Sequence, residues 1–172
     1  MSTVTFYVIS ENEYKLREIE IVKSLAEGNK QVLYVNFFKT SSEVMDSFGP
    51  WASKITCLAK KGPKDSTSTL ALADPSSLSE LSIVLNGIMK RKRFDVAFFD
   101  SFCGLNAIHG PQVCKKFFMY LRSHLALQNV NFVAASKDNE SASQLVPLLR
   151  GGIDTLSLEV HSKNIYKEKT TF

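Results

Sequence analysis

Five side chains have types that could do chemistry together. Asp100 and Ser101 end the apolar run Phe94-Asp95-Val96-Ala97-Phe98-Phe99, Ser136 and Lys137 end the run Val130 to Ala135, and Lys15 follows the first apolar run of the chain. A carboxylate beside a hydroxyl at a strand end is how nucleotide hydrolases hold Mg²⁺, directly or through water. Lysines and hydroxyls close by are the groups that reach phosphate oxygens. The plainer reading is that Asp100 and Ser101 cap the loop that follows and that Lys15 is a solvated helix residue. A second candidate is the run Lys90-Arg91-Lys92-Arg93, which could touch nucleic acid or an acidic partner. Cations at the carboxyl end of a helix also complement its dipole. Phosphate binding generally spreads basic residues over a face with polar or aromatic helpers, so a solvated helix end is the favoured reading of this run.

Other reactive types offer less. Cys57, Cys103 and Cys114 are odd in number and widely spaced, which fits neither a disulfide framework nor a zinc site, so they read as reduced thiols. Cys103 lies beside the candidate site and could be reactive, although a semi-buried small hydrophobe is the simpler reading. His109, His124 and His161 lack metal-ligand spacing, and no Ser-His-Asp or Cys-His arrangement is visible. No metal site is predicted.

The elements that must position these residues follow from the apolar pattern. Phe94 to Ser101 is too short for a helix and does not alternate, which predicts a strand buried on both faces, hence a central parallel strand. In an open α/β sheet ligands bind at the carboxyl ends of such strands, where Asp100 and Ser101 would emerge. Thr3 to Ile9 is predicted as the first strand, and Ser10 with Glu13 forms a capping-box pattern. The helix it opens runs to about Glu27, with Leu16, Ile19, Val22, Leu25 and Ala26 on one stripe and Gly28 to stop it. Gln31 to Phe38 is the second strand, Thr40 to Glu43 caps a short helix through Phe48, and Gly49-Pro50 ends it. Ile55 to Ala59 reads as a short strand, Lys60 to Ser68 as a mobile loop, and Leu70 to Ala73 as a weak strand. Asp74-Pro75 then starts a helix with Leu78, Leu81, Val84, Leu85 and Ile88 inward. Phe102 to Gly110 is a loop, and Pro111 opens a helix with Val113, Phe117, Tyr120, Leu121 and Leu125 on one face. Val130 to Ala135, a short helix from Ala142 to Leu149 and a last strand from Ile153 to Val160 follow. Phe98, Phe99, Phe117 and Phe118 read as core, with one of each pair left for an interface.

The 172 residues suit one domain, and 44% hydrophobic with 22% charged residues excludes disordered and fibrous classes. A formal net charge of +4 permits, but does not single out, contact with nucleic acid or an acidic surface. No basic leader and no membrane-length apolar run is present, so a cytoplasmic protein without membrane contact is expected. The expected organisation is one α/β domain over residues 1–160 and a polar tail over 161–172.

Alternation of strands and helices predicts a three-layer α/β/α sandwich with a mostly parallel central sheet. Three places within residues 3–160 then resemble the core of the RecA-like ATPases, in their KaiC and RadA-like branch. Gln31 to Phe37 with Thr40 to Val44 is similar to that family's second strand and following turn. Phe94 to Ser101 is similar to its Mg²⁺-site strand, and Val130 to Lys137 to the strand ending in a nucleotide-sensing polar residue. The resemblance implies a RecA-like fold and side-by-side assembly around a nucleotide site. Two places depart from it. Where the family has G-x-x-x-x-G-K-[ST], this chain reads Ser10-Glu11-Asn12-Glu13-Tyr14-Lys15-Leu16, with no glycine and with Leu16 in place of the metal-binding hydroxyl. Glu11 and Glu13 also compete with an anion for the positive helix end. Phe38-Lys39 stands where the family's acidic turn residue is expected, with Glu43 further on. The expectation is therefore a degenerate phosphate loop, no bound ATP or Mg²⁺, and a non-catalytic domain that binds a protein partner or a second copy, in signalling or in regulation of an ATPase relative. A nucleotide sensor with an altered site and a nucleic-acid-binding accessory protein are the alternatives. Local pattern leaves a flavodoxin-like or receiver-like strand order open, since Glu11, Glu13, Asp100 and Lys137 loosely imitate receiver residues.

Overall fold

A computed structural model describes residues 2–60, 71–72, 74 and 77–159. The predicted loop from Lys60 to Ser68 (after its first residue), Pro75, His161 and the tail over 161–172 lie outside the described residues. Strands and helices alternate as β1 (Val4–Ile9), α1 (Tyr14–Leu25), β2 (Val32–Thr40), α2 (Ser41–Met45), β3 (Ile55–Lys60), β4 (Ala71–Leu72), α3 (Leu78–Arg91), β5 (Val96–Asp100), α4 (Asn106–His109), α5 (Pro111–Leu127), β6 (Asn131–Lys137), α6 (Glu140–Leu149) and β7 (Thr155–Glu159).

The seven strands form one sheet in the order β4-β3-β2-β5-β6-β1-β7, and every neighbouring pair is parallel. The apolar run around Phe98 is central, between β2 and β6, and buried at every position. Because side chains alternate across a strand, adjacent phenylalanines serve opposite faces. Phe99, with Phe6, Val35, Phe102, Phe118 and Phe132, fills the layer under α3, α5 and α6. Phe98, with Tyr34, Val96, Val133 and Ala135, fills the layer under α1 and α2. Phe102 sits amid six rings, those of Phe6, Phe37, Phe99, Phe117, Phe118 and Phe132, at centroid separations of 5.6 to 6.5 Å. All four phenylalanines of the two adjacent pairs are buried, so none is left for an interface.

This order excludes the receiver-like alternative. A flavodoxin-like sheet puts the first strand beside the second, whereas here β5 and β6 separate β1 from β2. The sheet is parallel throughout, with helices on both faces.

Several local expectations are corrected. Ser10 and Glu13 form no capping box: α1 starts at Tyr14 without a side-chain cap, and Ser10 Oγ instead donates to the Glu159 carbonyl of β7 at 3.0 Å. Leu16 is 64% exposed, and the buried side of α1 is Tyr14, Glu18, Ile21 and Val22. The capping box at Thr40 and Glu43 is present, but α2 ends at Met45 and Pro50 opens a separate 3₁₀ turn from Gly49 to Lys54. Ser77, rather than Asp74, caps α3 through the Glu80 N–H. Val113 and Tyr120 of α5 face outward. β2 runs two residues further, to Thr40, and β7 is Thr155–Glu159.

Candidate functional site

The site is built at the carboxyl ends of β2 and β5, where Asn36 pairs in register with Asp100. The strand from β5 does not deliver Asp100 to the surface. Its carboxyl group is fully buried and accepts from five donors of the chain itself. Tyr14 Oη and Ser101 Oγ (3.0 Å) donate to Oδ1; Tyr34 Oη (2.9 Å), Asn36 Nδ2 and Lys39 Nζ (3.3 Å) reach Oδ2. A carboxylate offers about four lone-pair positions, so these donors saturate it.

Local structure explains how the donors arrive. Asn36 Oδ1 accepts the backbone N–H groups of Phe38 (2.8 Å) and Lys39 (2.6 Å), which bends the end of β2. The β2–β3 register shifts between Val35 and Thr40 at the same place. The bend brings Lys39 back over the strand end, between Asp100 and Glu18 Oε2 (3.1 Å). At the end of β5, Ser101 adopts a left-handed backbone (φ 55°, ψ 38°), and its N–H donates to Tyr14 Oη at 2.9 Å. Tyr14 thus donates to Asp100 and accepts from Ser101, leaving its hydroxyl satisfied.

Glu18 is the residue that sequence reasoning missed. It is buried, and its Oε1 meets Tyr34 Oη. Burial pushes its pKa up to about 6, with Asp100 adding to the rise and Lys39 and Tyr34 opposing it. Lys39 loses hydration, but the Asp100 and Glu18 carboxylates outweigh that loss and hold its pKa above the ordinary lysine value. Burial, then Asp100, raises the phenols of Tyr14 and Tyr34 well above their ordinary range. Two buried acids thus face one lysine that still reaches the surface. The signal for Glu18 was present: Tyr14, Glu18, Ile21 and Val22 follow the i, i+4, i+7, i+8 spacing of a buried helix face.

Over this network lies an open cleft of about 440 Å³ lined by Glu11, Lys15, Phe38, Lys39, Ser101, Ser136 and Lys137, among others. Four of the five residues singled out from sequence therefore do converge: Lys15, Ser101, Ser136 and Lys137. The fifth, Asp100, lies behind Tyr14 and Ser101. Ser136 Oγ is buried and accepts from the Cys103 N–H at 2.8 Å, while Lys137 pairs with Glu11 at 3.5 Å and lies 5.9 Å from the Tyr14 ring centroid. Phe38 is half exposed and lies so close on Gly104 that a Cβ there would meet its ring at 2.6 Å.

The remaining candidates lie elsewhere or are closed. Cys103 is fully buried, and burial pushes its thiol up to about 12, which makes it a packing residue rather than the semi-buried group expected. Lys90 and Arg91 end α3; Lys92 and Arg93 line a groove with Met89, Leu127 and the residues entering β5 and β6, at the amino ends of the strands. Lys92 Nζ donates to Thr56 Oγ1 at 2.9 Å. Among the described residues, no three or more His, Cys, Asp or Glu side chains gather in a group that could hold a metal ion. Among them, too, no helix is long and apolar enough to cross a membrane.

No family model matches the chain, and no curated protein is similar to it in sequence. Its structure is similar to that of a KaiC-like protein from the hyperthermophilic archaeon Pyrococcus horikoshii OT3, with a TM-score of 0.58 and 14% sequence identity over 78% of this chain. The chain spans 62% of that protein's structure. The likeness establishes a RecA/KaiC-like α/β core.

Proposed function

We propose that this chain is a non-catalytic RecA/KaiC-like domain that acts as a regulatory or protein-interaction module, in signalling or in regulation of an ATPase relative. The observation that carries the reading is the saturation of Asp100. An acid that positions a metal ion must present a lone pair to it, and here Tyr14, Tyr34, Asn36, Lys39 and Ser101 take the acceptor positions. The cations beside it are answered internally as well: Lys39 by Glu18 and Asp100, Lys137 by Glu11. A phosphate drawn to Lys39 or Lys137 would have to displace their carboxylates, and Glu11 and Glu13 precede α1 where its positive end would otherwise favour an anion. ATP and Mg²⁺ are accordingly not part of this proposal.

A second reading, a nucleotide sensor with an altered site, draws on the convergence of Lys15, Ser101, Ser136 and Lys137 on one cleft. A thermal-shift titration with ATP, ADP and GTP, with and without Mg²⁺, separates the two. A ligand held only by the folded state stabilises it by about 2.7 kcal/mol at a hundredfold excess over its Kd. The expected result is no shift at millimolar nucleotide. A Mg²⁺-dependent shift that Lys15→Ala and Ser101→Ala reduce would establish the second reading instead.

A further inference from the structure

We propose that the α3–α5 face, with the groove at its basic end, docks an acidic helical segment of a partner protein through apolar anchors. The proposal gives the interaction module its surface, and rests on that reading only in taking the protein to be a binder of other proteins. Five large apolar side chains stand exposed on these two helices; Met119 (37%) of α5 lies beside Gly152, and the other four are Ile83 (72%) on α3 and Val113 (45%), Tyr120 (39%) and Leu127 (81%) on α5. The last three recur every seven residues and so share one side of α5. The two helices meet there, since Asn86 Nδ2 of α3 donates to Tyr120 Oη at 3.3 Å. At the end of this strip Leu127 and Met89 enter the groove of about 400 Å³ that holds Lys92 and Arg93. Apolar anchors and cations are therefore continuous along one surface.

Charge selects the occupant. Of the cations on α5, Lys116 lies on the side of Val113, Tyr120 and Leu127 while Lys115 and Arg122 stand on the other flank, and the helix has no acidic residue in its 17 positions. α3 ends in Lys90 and Arg91, followed by Lys92 and Arg93, and its single acid, Glu80, lies in the first turn, where it accepts the Asp74 N–H at 3.0 Å. In the groove the Asp95 carboxylate already accepts the Gln31 N–H at 2.7 Å. A second copy offering the same face would set cation against cation. Nucleic acid satisfies the cations but gives Ile83 and Leu127 nothing to bury, and Tyr120 already stacks against Phe117 and His124, at 6.2 and 5.7 Å between centroids, rather than waiting for a base. An amphipathic acidic helix satisfies both features, with apolar residues at helical spacing on the anchors and carboxylates toward the cations.

The probe is a synthetic amphipathic helix with Leu and Phe at i, i+3, i+4 and i+7 and Glu elsewhere, titrated calorimetrically into the full chain. A Gln-for-Glu version, a single-stranded oligonucleotide and phosphatidylserine vesicles serve as comparisons. The expected result is micromolar binding of the Glu peptide that weakens with salt and exceeds that of the Gln peptide. Leu127→Asp and the pair Lys116→Glu, Arg93→Glu should each weaken it by about tenfold or more. All of these positions are on the surface, so unchanged melting certifies folding, and Ile83→Ser provides an independent variant. Failure of the Glu peptide to bind, equal binding of the Gln peptide, indifference to the variants, tighter binding of oligonucleotide or vesicles, or self-association relieved by Leu127→Asp would each overturn the proposal. Nucleotide stabilisation, which would overturn the non-catalytic reading, concerns the cleft at the carboxyl ends of the strands and leaves this result distinguishable.

Discussion

Replacing Glu18 by Gln should change how stability depends on pH, in a direction the buried network fixes. Glu18 titrates in the folded protein at about 6 against an ordinary 4.5, first because it is buried and then because Asp100 faces it. A raised carboxyl pKa means that the folded state binds the proton more tightly than the unfolded one. Its contribution is fully present below pH 4.5 and is lost as pH rises through about 6. The difference is worth about 2 kcal/mol. Gln keeps the hydrogen-bonding shape: its carbonyl can accept from Lys39, and its amide can donate to Tyr34 while Tyr34 donates to Asp100. It also leaves Lys39 facing a single buried acid. The stability of Glu18→Gln relative to wild type should therefore rise by about 2 kcal/mol between pH 4 and pH 7.5, nearly all of it gained before pH 7. Urea unfolding at half-unit pH steps would read this as a relative midpoint shift of about 1 M. Taking the difference between the two proteins removes the groups they share. A flat difference, or one that falls with pH, would refute the assignment of Glu18 as the acid that carries the extra proton.

Phe102→Ala, at the centre of six rings, should cost about 3–5 kcal/mol in chemical denaturation. Gly104→Ala should destabilise by about 1 kcal/mol because its Cβ needs the place of the Phe38 ring, and a Phe38→Ala background should remove most of that cost; additive effects in the double-mutant cycle would speak against the contact. Arg17 holds both carboxylate oxygens of Glu159, at 2.7 and 2.8 Å, and thereby ties α1 to the edge strand β7. The hydrogen bond from Arg17 lowers the Glu159 pKa, so this pairing supports the fold at neutral pH and is lost as pH falls through the lowered value. Glu159→Gln should therefore speed amide exchange in β7 near neutrality and much less in acid, which exchange monitored by mass spectrometry would show.

The strands were the most legible part of the sequence. β1, β2 and β6 were legible as strands, and the run around Phe98 as a strand buried on both faces, which proved central because nothing in it could face water. What pattern could not supply was the choice between equivalent local solutions. Ser10 has a Glu three residues on, yet its hydroxyl bonds the Glu159 carbonyl, a partner 149 residues away. Asp74 and Ser77 are both good helix caps, and tertiary position chose Ser77. Strand order is a property of crossovers, which leave no local mark. In the candidate site, Ser101, Ser136 and Lys137 were singled out at strand ends and Lys15 from its place after the first strand, with a solvated helix residue the plainer reading of Lys15; the fold puts all four on one cleft. The network beneath was not legible, because a helix stripe is read from apolar residues, and α1 buries Glu18 while exposing Leu16. Lys39 was noted only as standing in an acid's place; the bend made by Asn36 gives it its partners.

The position of β1 has a consequence for synthesis. Both of its neighbours come from the far end of the chain: Val4 pairs with Phe132 on one side, and Thr5 with Thr155 on the other. Translation delivers this apolar strand before either of its partners. Until β6 and β7 emerge, the β1 segment has two unsatisfied edges. Closing the sheet joins segments about 130 to 150 positions apart, which makes ring closure a late and slow step. A nascent chain arrested before β6 emerges should accordingly stay protease-sensitive in its first strand, and chains released at that stage should be the ones that need a chaperone.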